Sequence, residues 1–214
     1  MIIDDGIIYL SGNHTSKKKW LWHHMSIDNG DSLRTYEVYD STYIFDSMFN
    51  LGQVKFKDGF CIYGPVNHDG DECSLMYFVN KEGQLDTLLT PFITGIDADP
   101  WEIIVHNDEY LIAFIRYREV GRDRQRVVAK IDKNKLLVWA YFSEENSLND
   151  AVPNGAILND SLFVYNTRDG FQGSQNIRCI HRDSTIFWVN ENPQQIGLYK
   201  EYIGITSLMD NNIL

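Results

Sequence analysis

The strongest constraint on the fold is that the sequence repeats itself about every 50 residues, a period diagnostic of stacked supersecondary units. A first turn, rich in Asp, Asn and Gly, occurs at Asp5-Gly6, Asp58-Gly59, Asn107-Asp108 and Asn159-Asp160. An apolar residue stands just before each turn: Ile3, Phe56, Val105 and Leu158. After each comes a run rich in β-branched and aromatic residues (IIYLSG, FCIYG, EYLIAF and SLFVY), the composition of a strand bounded by turn residues. A second turn recurs in phase, led by Ile27, Val79, Ile131 and Ile180, and it too lies between two apolar runs. Each unit therefore reads as four strands, and no stretch sustains the 3.6-residue apolar rhythm of an amphipathic helix.

Four strands per unit at this period predict an all-β fold, a β-propeller or a multi-blade part of one. The predicted blades span 1–45, 51–95, 101–145 and 153–195. The tail 203–214, with Leu208 ahead of Asp210-Asn211, restates the opening strand and turn of a blade and suggests the start of a fifth. Two readings follow from that tail. In one, the chain is part of a larger ring. In the other, four blades close on themselves and the tail packs against the first.

The strand and turn grammar of Asp5–Gly12, Lys19–Trp22 and Ile27–Gly30 resembles the propeller repeats of bacterial proteins, including PQQ-like and kelch-like repeats and those of Bacteroidota proteins exported by the type IX secretion system. That resemblance implies a secreted or surface protein, hence an extracytoplasmic address, and a fold used mainly for binding. The second, third and fourth units lack the tryptophans that Trp20 and Trp22 supply in the first.

Composition narrows the function classes. With 43% hydrophobic and 13% aromatic residues in 214, the chain has material for a sizeable core. A formal net charge of −11 argues against nucleic acid or an anionic membrane as partner. No apolar run approaches the roughly 20 residues of a membrane span. The cysteines Cys61, Cys73 and Cys179 form no C-x-x-C pair; Cys61 and Cys73 read as two buried thiols, although a cross-hairpin bond between them is open. No nucleophile-elbow or phosphate-loop motif occurs, no cofactor is expected, and oligomeric state is not written in the sequence.

Candidate binding residues fall on the connections between the second and third strands of a unit and between successive units. These read as the long ones: His14–Lys19, Gly64–Glu72, Arg116–Gln125 and Thr167–Ser174, with Tyr39–Gly52, Thr90–Asp99 and Ser143–Pro153. Long loops on a rigid scaffold are where recognition residues concentrate. The second strands end on His14, His68, Arg118 and Arg168, a set suited to an anionic or sugar-like ligand, or to a protein or peptide partner. A metal role for His14 and His68 lacks a third ligand, and His23 and His24 should point to opposite faces of one strand. Asp69-Gly70-Asp71-Glu72 lacks the spacing of a calcium loop. The stretch Asp97-Ala98-Asp99-Pro100-Trp101 adds Asp99 and Trp101 as ligand-binding candidates. It also raises the alternative of a propeller glycoside hydrolase using Asp97 or Asp99, for which no second carboxylate stands out. The sequence thus favours a non-catalytic binding module.

Overall fold

The computed structural model describes residues 1–14, 19–38, 41–43, 45, 51–68, 70–89, 97–106, 108–118, 125–142, 155–159, 162–168, 175–181 and 186–191. They form sixteen strands in four antiparallel sheets, with no helix among the described residues. Blade 1 holds β1 (Ile2–Asp4), β2 (Ile7–His14), β3 (Lys19–Ser26) and β4 (Ser32–Val38). Blade 2 holds β5 (Gly52–Phe56), β6 (Gly59–His68), β7 (Asp71–Asn80) and β8 (Leu85–Leu89). Blade 3 holds β9 (Asp97–His106), β10 (Tyr110–Arg118), β11 (Gln125–Asp132) and β12 (Leu137–Phe142). Blade 4 holds β13 (Gly155–Asn159), β14 (Leu162–Arg168), β15 (Gln175–His181) and β16 (Ile186–Glu191). Strand order within every sheet follows the chain.

Successive blades pack face to face, and their first strands neighbour one another: β1 beside β5, β5 beside β9, β9 beside β13. That is the radial arrangement of propeller blades, first strand innermost and fourth strand outermost. The tail 203–214 lies outside the described residues.

Face-to-face packing explains why the middle strands read as unbroken apolar runs. In β6, Phe60 and Ile62 pack toward blade 1 while Cys61 and Tyr63 pack toward blade 3. In β10, Leu111, Ala113 and Ile115 face blade 2 while Tyr110, Ile112 and Phe114 join Phe163 of blade 4. A strand buried on both faces has no polar side to display, so the period-2 alternation vanishes. Each of the large side chains removed from water contributes about 1.5–3 kcal/mol, and all are shared between two blades. Cys61 and Cys73 belong to opposite faces of blade 2 and are free thiols; burial raises the Cys61 pKa far above the ordinary thiol value.

The repeat is tighter in backbone geometry than in residue identity. In all four blades the pairing of third and fourth strands slips just before their connecting turn: at His24/Met25, Phe78/Val79, Lys130/Ile131 and Cys179/Ile180. The residues that open these turns are Ser26, Asn80, Asp132 and His181. The blade 1 counterpart of Val79, Ile131 and Ile180 is therefore Met25. Ile27 sits in the turn itself and is exposed, because the blade 1 turn is one residue longer than those of blades 2 and 3. Asn80 Oδ1 accepts from the Gln84 amide at 2.9 Å, and Asp132 Oδ1 accepts from Asn134 and Leu136 at 2.8 and 2.9 Å. These side-chain bonds mimic a backbone turn. The left-handed position that completes the turn is Gly30 (φ 72°), Gly83 (φ 77°) or Lys135 (φ 65°).

The first turn also differs from the sequence alignment. Asp5 (φ 48°) and Gly6 (φ 74°) form a two-residue turn of the primed kind that suits strand twist. In blade 2, however, the turn is Lys57-Asp58, and Gly59 already pairs with Phe56 and with Asn80. Gly59 is required for another reason: a Cβ there would lie 2.2 Å from the Val79 carbonyl oxygen. Backbone cannot retreat as a flexible side chain can. Gly59→Ala should lower stability by about 1–3 kcal/mol in denaturant unfolding, as overpacking does. Gly12→Ala, where a Cβ meets nothing within 4 Å, should be close to neutral.

The blade 1–blade 2 junction contains an aromatic box around a buried histidine. His24 is 6% exposed, with the rings of Trp22, Tyr9 and Tyr36 centred 4.3, 4.6 and 4.9 Å away. His23, on the other face of β3, meets Thr35 Oγ1 at 2.8 Å, so the two histidines do diverge. Burial, and then the Arg34 charge, hold the His24 pKa below 6.5. The unfolded chain then binds the extra proton first, so stability is full above pH 6.5 and falls as the pH drops below it. Unfolding midpoints at pH 7.5 and 5.0 should differ less for His24→Phe than for the wild type; an unchanged difference would assign the pH dependence elsewhere.

Candidate functional site

The two ends of the blades are built differently. At one end lie the turns joining first to second and third to fourth strands. Here blade is fastened to blade by charge. Lys55 Nζ meets Asp4 Oδ1 at 2.6 Å, and Lys81 Nζ lies 2.8 Å from both Asp4 Oδ2 and Asp5 Oδ2. The same device joins blades 2 and 3. The Lys57 amide donates to Asp108 Oδ1 (2.9 Å), its ammonium donates to the Lys133 carbonyl (2.7 Å), and Lys135 pairs with Asp86. Lysines of the third-to-fourth turns, Lys81 and Lys135, thus each reach back to a carboxylate of the preceding blade.

A cleft of about 160 Å³ opens at this end of the blade 2–blade 3 junction, lined in part by Phe56, Lys57, Gly59, Phe78, Asp86 and Lys135. The Lys57 and Lys135 ammoniums stand 5.9 and 5.7 Å from the ring centres of Phe56 and Phe78. Burial, and then the Lys57 charge, lower the Lys135 pKa. The long connections expected from the sequence lie elsewhere, and nothing in the repeat pattern pointed to this cleft. The signal available was the recurrence of lysine in the turns, at Lys57, Lys81, Lys133 and Lys135.

The opposite end holds the residues singled out from the sequence. Tyr9 touches Phe60, and Tyr110 touches Phe163, each near the start of a second strand. Neighbouring blades are therefore aligned with their first turns at one end and the ends of their second strands at the other. Those strands finish on His14, His68, Arg118 and Arg168, one per blade. His14 pairs in register with Lys19, His68 with Asp71, Arg118 with Asp97 and Arg168 with Gln175. His14 is half-buried. The side chains of His68, Arg118, Arg168, Asp99 and Trp101 lie outside the described residues, and only their backbone positions enter the geometry.

Two expectations about this end change. The connection expected over Gly64–Glu72 is mostly strand: β6 runs to His68 and β7 begins at Asp71, because Phe60–Val66 is buried on both sides and stays paired throughout. The acidic stretch expected to be loop up to Asp99 belongs to β9 from Asp97 onward. In the strand register Asp97 stands opposite Arg118 and Asp99 opposite Arg116. Ile115 pairs with Pro100 and Phe114 with Glu102, so Trp101 is the extra residue of a bulge. Bulges re-aim a strand and are frequent beside functional sites. Among the described residues no group of three or more His, Cys, Asp or Glu could hold a metal ion.

No protein-family model matches the chain, and no curated protein is similar to it in sequence. Among solved structures the chain is similar to a subtype N10 neuraminidase-like protein of A/little yellow-shouldered bat/Guatemala/060/2010, at 7% identity and a TM-score of 0.49. The match covers 87% of this chain and 59% of that one, so the chain spans about three fifths of the neighbour's length. No residue role passes between them at this distance.

The charged turn end has a measurable consequence. Hydrogen bonds from Lys55 and Lys81 hold the Asp4 carboxyl below its ordinary value of 3.8. A depressed carboxylate stabilises the fold above its unfolded pKa and loses that contribution as pH falls through the folded value. Acid unfolding followed by tryptophan fluorescence should therefore begin at higher pH for Lys81→Met than for the wild type. Asp4→Asn should show a shallower pH dependence below about pH 4.

Proposed function

We propose that this propeller is a non-catalytic binding module that contacts a glycan, peptide or protein through the end bearing His14, His68, Arg118 and Arg168. The observation that carries the reading is the division of labour between the two ends. Lysines and carboxylates at the turn end are engaged in fastening blade to blade. At the other end the second strands finish on one cationic or imidazole residue per blade, His14, His68, Arg118 and Arg168. Guanidinium groups recognise carboxylate, sulfate or phosphate by paired donors, so an anionic or sugar-like ligand fits the chemistry of the set. Asp99 and, two residues further along β9, the bulge residue Trp101 belong to the strand whose first residue, Asp97, pairs with Arg118. Aromatic rings are common anchors for sugars and peptides because they combine apolar area with few rotamers. The resemblance of the strand and turn grammar to that of exported bacterial propellers is what favours a secreted or surface setting.

Screening the purified chain against immobilised glycans and peptides tests the reading. Arg118→Ala combined with Arg168→Ala should weaken the bound signal at least tenfold, about 1.4 kcal/mol, while Lys81→Ala at the opposite end leaves it unchanged. Hydrolysis of an aryl glycoside that disappears in Asp99→Asn would replace this reading with the glycoside hydrolase one.

A further inference from the structure

Ile7, Gly59 and Tyr110 each open the second strand of a blade, paired with Ser26, Asn80 and Asp132 respectively. Side chains alternate along a strand, so each of these positions faces the following blade, as Tyr9, Cys61 and Ile112 do. Ile7 packs against the blade 1–blade 2 core, and Tyr110 is buried beside Phe163 of blade 4. Gly59 brings no side chain to the junction between them, and the cleft of about 160 Å³ that it lines opens there.

Two further departures from the repeat converge on that cleft. Lys57 (φ 54°) stands where blade 1 has Asp5, and Lys135 (φ 65°) where blades 1 and 2 have Gly30 and Gly83. A left-handed backbone costs a lysine energy, and such strain collects at ligand sites. Both ammoniums stand by the aromatic lining, 5.9 Å from the Phe56 ring and 5.7 Å from the Phe78 ring. Carboxylates close by are committed: Asp86 to Lys135, Asp108 to the Lys57 amide, Asp132 to the amides of Asn134 and Leu136. The Lys57 ammonium spends one of its three N–H groups on a neutral acceptor, the Lys133 carbonyl. Among the described residues no carboxylate pairs with it. Its charge bears instead on Lys135, whose pKa is lowered by burial and then by Lys57.

We propose that this cleft binds a small organic monocarboxylate, its carboxylate at the Lys57 and Lys135 ammoniums and its apolar body toward Phe56, Phe78 and Val79. Size sets the upper limit: pockets for drug-sized molecules run to roughly 300–1,000 Å³, so this one takes a single ring or a short chain. The lining sets the charge. Two ammoniums facing one space disfavour a cation and are both relieved by an anion. A dianion such as phosphate is disfavoured, because the aromatic lining cannot replace its hydration and Asp58 and Asp86 also border the cleft. The cleft is at the turn end, opposite the strand ends of the proposed ligand set, so the two readings stand or fall separately.

Titration of the full chain with benzoate at constant ionic strength, followed by amide NMR, tests this. Benzoate should shift the amides of Lys57, Asp58, Gly59 and Lys135 and saturate in the millimolar range. Benzyl alcohol, which keeps the ring without the charge, and inorganic phosphate, which keeps charge without the ring, should each bind about fivefold more weakly or worse. Lys57→Met should weaken benzoate by a similar factor. So should Lys135→Gly, which keeps the fold because glycine serves that position in blades 1 and 2. Lys81→Met, at the blade 1–blade 2 junction, should leave benzoate binding unchanged. The proposal is overturned if benzoate up to about 50 mM shifts none of these amides. It is equally overturned if phosphate or benzyl alcohol matches benzoate. Unchanged benzoate affinity in either Lys57→Met or Lys135→Gly, with near-native circular dichroism, would overturn it as well.

Discussion

Packing of blade against blade is the interaction on which everything else in this protein depends. A single four-stranded sheet of this size has two apolar faces and no means of burying either by itself. Phe60 and Ile62 are out of water because Tyr9, Trp20 and Trp22 lie against them; Cys61 and Tyr63 are out of water because blade 3 lies on the other side. Stability is thus a property of junctions rather than of blades. A substitution at a junction is felt by two sheets at once.

That dependence accounts for the charge arrangement at the turn end. Lys55 and Lys81 act from blade 2 on carboxylates of blade 1, and Lys135 acts from blade 3 on a carboxylate of blade 2. Exposed ion pairs contribute little individually. Their recurrence at successive junctions, however, fixes the rotation of one blade on the next where apolar contact alone is permissive. Lys135 stands at φ 65° where blades 1 and 2 use glycine. A lysine in that conformation is disfavoured. Its ammonium reaches both Asp86 and the face of Phe78, contacts that glycine cannot supply. One end of the blades is thus committed to cohesion.

How much of this was legible in the sequence varies by residue. The four-strand unit was readable because turn residues and β-rich runs recur in phase, and those are local properties of the chain. Phase within a unit was less readable. Asp58-Gly59 looks like a repeat of Asp5-Gly6, yet the turn is Lys57-Asp58, and Gly59 is retained for its close approach to the Val79 carbonyl. Ile27 likewise mimics Val79 and Ile131, although its turn is one residue longer and Met25 holds the equivalent place. Residue identity cannot distinguish a glycine needed for positive φ from one needed for space. Only the neighbouring strand decides that.

Sequence alone determined the strand count per blade and the all-β class, since these follow from periodicity; how far the second strands run, to His68 rather than to Gly64 in blade 2, did not follow from it. It did not determine which contacts cross between blades, because partners such as Lys81 and Asp4, or Tyr36 and Gly83, are far apart along the chain and unrelated in pattern. Tertiary structure decided those. It also decided that Asp97 and Asp99 stand opposite arginines within a strand, that Trp101 is a bulge, and that the uncharged run from Leu136 to Phe142 is an edge rather than a buried strand. An apolar run reads alike in either place. What separates them is whether another sheet lies against it.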